Sequence, residues 1–135
     1  MRQTAIFENL VPLEYIRFIG VPMLETKHGP VIDLPPNALE RLAAKAVISE
    51  RIPLRGREVK FLRKTLGLSF EKFAAKLGLS AATVLHWEKT SDKKLDDITE
   101  VGVRAFLAEA FEVDLQAKFS TLVGDRVHAL DVQAS

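Results

Sequence analysis

The chain contains no cysteine. That excludes a disulfide framework, a thiolate zinc site and a cysteine nucleophile, and it leaves metal chemistry to three histidines and the carboxylates. It also fits a reducing compartment. Long apolar runs are missing too: none approaches the roughly 18 residues of a membrane-spanning helix. The opening stretch MRQTAIFENLVPLEY reaches Pro12 after too short an apolar segment for a signal peptide, so a cytoplasmic location is expected. Gly20, Gly29, Gly56, Gly67, Gly78, Gly102 and Gly124 are scattered and form no phosphate-cradling cluster. His28 falls in a turn-forming stretch, His86 on a helix surface and His128 in the tail. None has a carboxylate or nucleophile at relay spacing, and no His/Asp/Glu grouping has metal-ligand spacing. Catalysis, a metal and a cofactor are therefore not expected. There is no internal repeat and no low-complexity segment.

What is present is enough apolar material for one ordinary core. Of 135 residues, 47% are apolar and 27% charged, a balance that separates the chain from disordered sequences. The net charge of +1 conceals an asymmetry. Between residues 55 and 94 lie ten basic side chains (Arg55, Arg57, Lys60, Arg63, Lys64, Lys72, Lys76, Lys89, Lys93 and Lys94) against four acids, Glu58, Glu71, Glu88 and Asp92. The rest of the chain is net acidic. Such a split suits a protein that offers one face to a polyanion, although a solvated basic helix surface would show the same count.

Three regions are read along the chain. Residues 1–53 have strand character: Glu14 to Gly20, Val21 to Glu25 and Val31 to Leu34 are short strand candidates around the turn-forming Lys27-His28-Gly29-Pro30. After Pro35-Pro36, Asn37 is placed to cap a helix with Leu39, Leu42, Ala43, Ala46 and Val47 at helical spacing. Residues 54–112 read as closely spaced helices. The first, Arg57 to Leu66, buries Val59, Leu62 and Leu66 and ends at Gly67. The second is capped by Ser69 and ends at Gly78, and the third is capped by Ser80, with Val84 and Trp87 inward. A longer helix is expected from Ile98 to Phe111, with Val101, Ala105, Ala108 and Phe111 or Leu107 facing a core. In the tail, residues 113–135, the positions Leu115, Phe119, Leu122 and Val123 predict one more amphipathic helix, and the end after Gly124 is expected to fray. The fold class expected is α+β, a small hairpin-plus-helix region followed by an all-α unit.

The segment FEKFAAKLGLSAATVLHWEK, Phe70 to Lys89, has the spacing of a helix-turn-helix. Ala74 lets one helix cross close over another, Gly78 permits a positive φ in the turn, and Val84 fills the angle between the helices. Ala81, Ala82, Leu85, His86 and Lys89 are then left on the outward face of the third helix.

The run LRGREVKFLRKTLGLS, then FAAKLG, then S-x-x-T-V-x-x-WEK, resembles the lambda-repressor-like helix-turn-helix domain of XRE/Cro-type regulators, and within them the MqsA/YgiT-type antitoxin group in its version without zinc-binding cysteines. The motif-bearing match spans about Leu54 to Glu88. The resemblance implies a transcriptional regulator that binds double-stranded DNA as a homodimer, an autoregulating antitoxin with a cognate toxin as partner, and no metal. It makes Trp87 a core anchor, pairs Arg63 with Glu88, and assigns DNA contacts to Ser69, Ser80, Ala81, Ala82, Thr83, Leu85, His86, Lys89, Lys93 and Lys94. Two departures stand out: Phe70 replaces the usual glutamine, and Ala81, Ala82 and Leu85 replace long polar side chains on the base-facing surface. Direct readout is then confined to Ser80, His86 and Lys89, with DNA shape supplying the remainder. The alternative is a degenerate helix-turn-helix whose apolar third helix docks on a protein. The helix from Ile98 to Phe111 and the tail are the expected dimer contacts.

Overall fold

A computed structural model describes residues 3–115 and 118–134. It is a mixed α+β structure in which an N-terminal sheet packs against a helical layer. The strands are β1 (Gln3–Glu8), β2 (Ile16–Thr26), β3 (Gly29–Ile32) and β4 (Leu130–Gln133). The helices are α1 (Ala38–Ser49), α2 (Gly56–Leu66), α3 (Phe70–Leu77), α4 (Ala81–Lys89), α5 (Asp97–Ala110) and the single turn α6 (Phe119–Leu122).

The two strand candidates Glu14 to Gly20 and Val21 to Glu25 are one continuous strand, β2, which organises the sheet. Along one edge it pairs antiparallel with β1, from Gln3↔Met23 to Glu8↔Arg17, with a register irregularity between Ala5 and Phe7. Its other edge is shared. The first half, Ile16 to Ile19, pairs parallel with β4, and the second half, Met23 to Thr26, pairs antiparallel with β3. The β2–β3 hairpin closes over Lys27 and His28, where Thr26 Oγ1 donates to the Gly29 carbonyl and accepts from the His28 N–H.

Both β1 and β4 fall outside the strand expectations, and β4 corrects the frayed tail. Leu130, Val132 and Ala134 are buried, with Asp131 and Gln133 exposed between them, the period-two pattern of a strand with one face in the core. The tail thus returns to the N-terminal sheet and ends in the same buried cluster as Ile16, Phe18 and Val47. Gln116, Ala117 and Ser135, which the tail expectation includes, lie outside the described residues. Among those described, the tail helix reduces to α6.

Two further expectations are corrected. Asn37 precedes α1 but makes no capping bond: its backbone is left-handed at φ 68°, and its Nδ2 donates to the Thr65 carbonyl of α2. The side chain ties one helix to another instead. The buried face of α5 is Glu100, Val103, Arg104, Leu107 and Ala108, with Ala105 exposed and Val101 half-exposed. The true face contains two charges, which an apolar periodicity does not count.

Those two charges join three segments. Glu100 Oε1 accepts from Leu54 N at 3.3 Å and Oε2 from Gly124 N at 2.6 Å, while Arg104 donates to the carbonyls of Val47, Ile48, Ile52 and Leu122. Both side chains are fully buried, and Arg104 bonds carbonyls where α1 ends: Ile48 and, shared with the Ile52 N–H, Val47.

Candidate nucleic-acid interface

Local chemistry sets α3 and α4 at a fixed angle. Ser69 Oγ accepts from Lys72 N at 3.2 Å and Ser80 Oγ from Thr83 N at 3.3 Å, capping the two helices. Between them Gly78 sits at φ 70°, and Leu79 N returns to the Ala74 carbonyl at 2.9 Å. Phe73, Ala74 and Val84 fill the contact from inside, and Phe73 meets Phe106 of α5 edge-on with ring centroids 5.9 Å apart.

Arg63 and Glu88 come together. Arg63 Nε and Nη2 donate to the two carboxylate oxygens at 2.7 and 3.0 Å, a bidentate bond between α2 and α4 in which the side chains are 9% and 5% exposed. Arg63 Nη1 also donates to the Leu68 carbonyl at 2.8 Å, and the guanidinium lies 4.2 Å from the ring centre of Phe70. The spacing assigns Phe70 no such role. The only signal for it in the sequence is an aromatic residue seven positions after an arginine.

On the outward side of α4, Ala82, Leu85, His86 and Lys89 are exposed, while Ala81, Thr83 and Trp87 are half-buried. Ser80 and Thr83 point their hydroxyls at each other, 2.9 Å apart. Thr90, which the sequence leaves without a role, closes the helix by donating Oγ1 to the carbonyls of His86 and Trp87. Beyond it, a small cleft of about 260 Å³ is lined by His86, Trp87 and Lys93 among others.

The basic side chains sort into two sets. Arg55 is held by Glu58, Arg57 by Glu14 and Asp92, and Arg63 by Glu88. Lys94, counted among the expected DNA contacts, is corrected to the same set: its ammonium lies 2.9 Å from Asp97, 3.1 Å from Glu100 and 3.1 Å from the Leu95 carbonyl. Burial disfavours its charge, but the two carboxylates outweigh that and raise its pKa above the ordinary lysine value. Lys60, Lys64, Lys72, Lys76, Lys89 and Lys93 are exposed and, among the described residues, have no ion-pair partner. The positive surplus of this segment is therefore carried by lysines whose heads face water.

The three histidines sit on different elements: His28 in the β2–β3 turn, His86 on α4 and His128 before β4. No group of three or more metal-ligating side chains occurs among the described residues, and none of the described helices is long and apolar enough to cross a membrane.

Set against known proteins, the chain matches no family model, no curated protein and no solved structure.

Proposed function

We propose that the protein is a DNA-binding transcriptional regulator in which α3, the turn and α4 act as a lambda-repressor-like helix-turn-helix and α4 enters the major groove. One observation carries this reading. The outward face of α4 is exposed, its inward face is fixed by Val84 and the Arg63–Glu88 bond, and four lysines with no acidic partner among the described residues, Lys72, Lys76, Lys89 and Lys93, occur on α3 and at or beyond the end of α4. In this role Ser69 and the N–H groups opening α3 meet a phosphate. Lys89 and Lys93 add salt-sensitive phosphate contacts. Ala82 offers a methyl contact to thymine, and His86 is the side chain best placed for a hydrogen bond to a base edge.

A two-fold pair of such units would double the phosphate contacts on a palindromic site, so the functional species is a homodimer. The solvent face of α5, where Ile98 is 75% exposed, is its candidate contact. The protein performs no catalysis in this reading, and its regulatory role is that of an autoregulating antitoxin paired with a toxin. A gel-shift titration with the DNA upstream of its own gene, at two salt concentrations, tests it. Retarded DNA that is released at the higher salt is expected; no shift at low salt contradicts the reading.

A second reading has a specific observation in its favour. Leu79 in the turn and Leu85 on α4 are 40% and 38% exposed, so the same surface suits a protein partner. A partner held by this apolar face would stay bound as salt rises, whereas DNA would leave.

A further inference from the structure

A cavity lies away from the outward face of α4, between the β1–β2 loop, the start of α1 and the side of α2. Its volume is about 630 Å³, within the range of small-molecule sites. One part of its lining is apolar: Leu10 and Val11 from the loop and Phe61 from α2. Along the same side of α2, Lys60 and Lys64 stand four residues apart, one helical turn, so they are neighbours on one helix face and an anion can meet both. Both are exposed, and neither has an ion-pair partner among the described residues. Arg57 also lines the cavity, but Glu14 and Asp92 hold it. Glu88 does too, and is held by Arg63. Glu40, on α1, is the one lining acid without an ion-pair partner among the described residues.

We propose that this cavity is a binding site for an amphipathic monocarboxylate, an acyl or aryl chain bearing one anionic head, whose carboxylate sits between Lys60 and Lys64 and whose apolar body covers Leu10, Val11 and Phe61. The two lysines attract a carboxylate, the apolar surface rewards burial of a hydrocarbon body, and Glu40 opposes a second negative charge, which selects a monoanion over a phosphate dianion. An occupant also reaches Glu88, which bonds α4 to α2 through Arg63. The inference does not depend on DNA binding.

Calorimetric titration of the full chain with decanoate below its micellar concentration, alongside amide NMR, tests it, with decanol and inorganic phosphate as controls. Saturable decanoate binding is expected, with the largest shifts at Val11, Lys60, Phe61 and Lys64. Decanol and phosphate should each bind at least tenfold more weakly. In the variant Lys60→Gln/Lys64→Gln, decanoate affinity should fall about tenfold or more while decanol is unaffected; both lysines are exposed, so the fold is retained. Leu10→Ser should weaken decanoate and decanol together. Non-saturable binding, equal affinity for decanol and decanoate, an unchanged lysine variant, or shifts centred on another surface would each overturn the proposal.

Discussion

Arg63 meets the Glu88 carboxylate, the Leu68 carbonyl and the Phe70 ring at once, so it holds α4, the α2–α3 turn and the start of α3 in one arrangement. Because both members of the ion pair are nearly buried, removing one strands the other charge away from water. Glu88→Ala should cost about 3–5 kcal/mol in urea denaturation, and Arg63→Met/Glu88→Leu should recover part of that loss. A cost below about 1 kcal/mol would show a pair no stronger than an exposed one. Tyr15 offers a spectroscopic test, because it is the single tyrosine of the chain. Its hydroxyl donates to the buried carboxylate of Glu58 at 2.9 Å, and burial, followed by the Glu58 charge, raises its pKa well above the ordinary 10.0. A folded-state pKa above the unfolded one stabilises the fold below the unfolded value and is lost as pH rises past it. The ultraviolet signal of tyrosinate should therefore be absent near pH 10 and should appear only together with unfolding; a free titration near pH 10 would contradict the buried contact. Ser69, Gly78 and Ser80 are legible in the sequence because a cap or a turn is decided within a few residues. The roles of Asn37, Phe70 and Lys94 are not, because each depends on a group brought close only by folding.

The α3–turn–α4 unit is readable for the same reason: its contacts are local and its steric demands fall on named positions. Gly78 and Gly56 separate two such demands. At Gly78 the backbone is left-handed, and a Cβ there would meet nothing within 4 Å, so Gly78→Ala should cost only backbone strain, about 1–2 kcal/mol in thermal or urea unfolding. At Gly56, the first residue of α2, a Cβ would run into the Trp87 carbonyl and come within 2.9 Å of the Thr90 carbonyl. Gly56→Ala must then push α2 away from the end of α4, at about 3 kcal/mol or more. Equal losses at the two sites would contradict this packing of α2 against α4. The face of α5 is harder to read, since Glu100 and Arg104 occupy core positions that a hydrophobic pattern assigns to solvent. The strands are harder still: β1 and β4 are short, and what defines them is pairing with β2, a partner remote in sequence for β4.

Across the whole molecule, the last strand closes on the first region of the chain, and the Glu100–Arg104 pair fastens the linker after α1 to the tail. A chain truncated after Gly124 loses the buried Leu130 and Val132, a loss of about 3–6 kcal/mol on the scale of full side-chain burial. Its denaturation midpoint should drop accordingly, and an unchanged midpoint would show that β4 adds nothing. The charge asymmetry also belongs to this scale. It is visible in the sequence as a count, but only the fold divides the basic residues into those paired with acids and the six lysines that face water. The central claim, that Lys72, Lys76, Lys89 and Lys93 and the outward face of α4 engage duplex DNA, is tested most directly by fluorescence anisotropy of a labelled duplex carrying its own upstream DNA, titrated over a range of salt concentrations. The account predicts binding that weakens linearly on a log–log plot, with Lys89→Gln and Lys93→Gln each lowering affinity and reducing the slope by about 1. Affinity and slope unchanged in both variants, or no binding at the lowest salt, would contradict it.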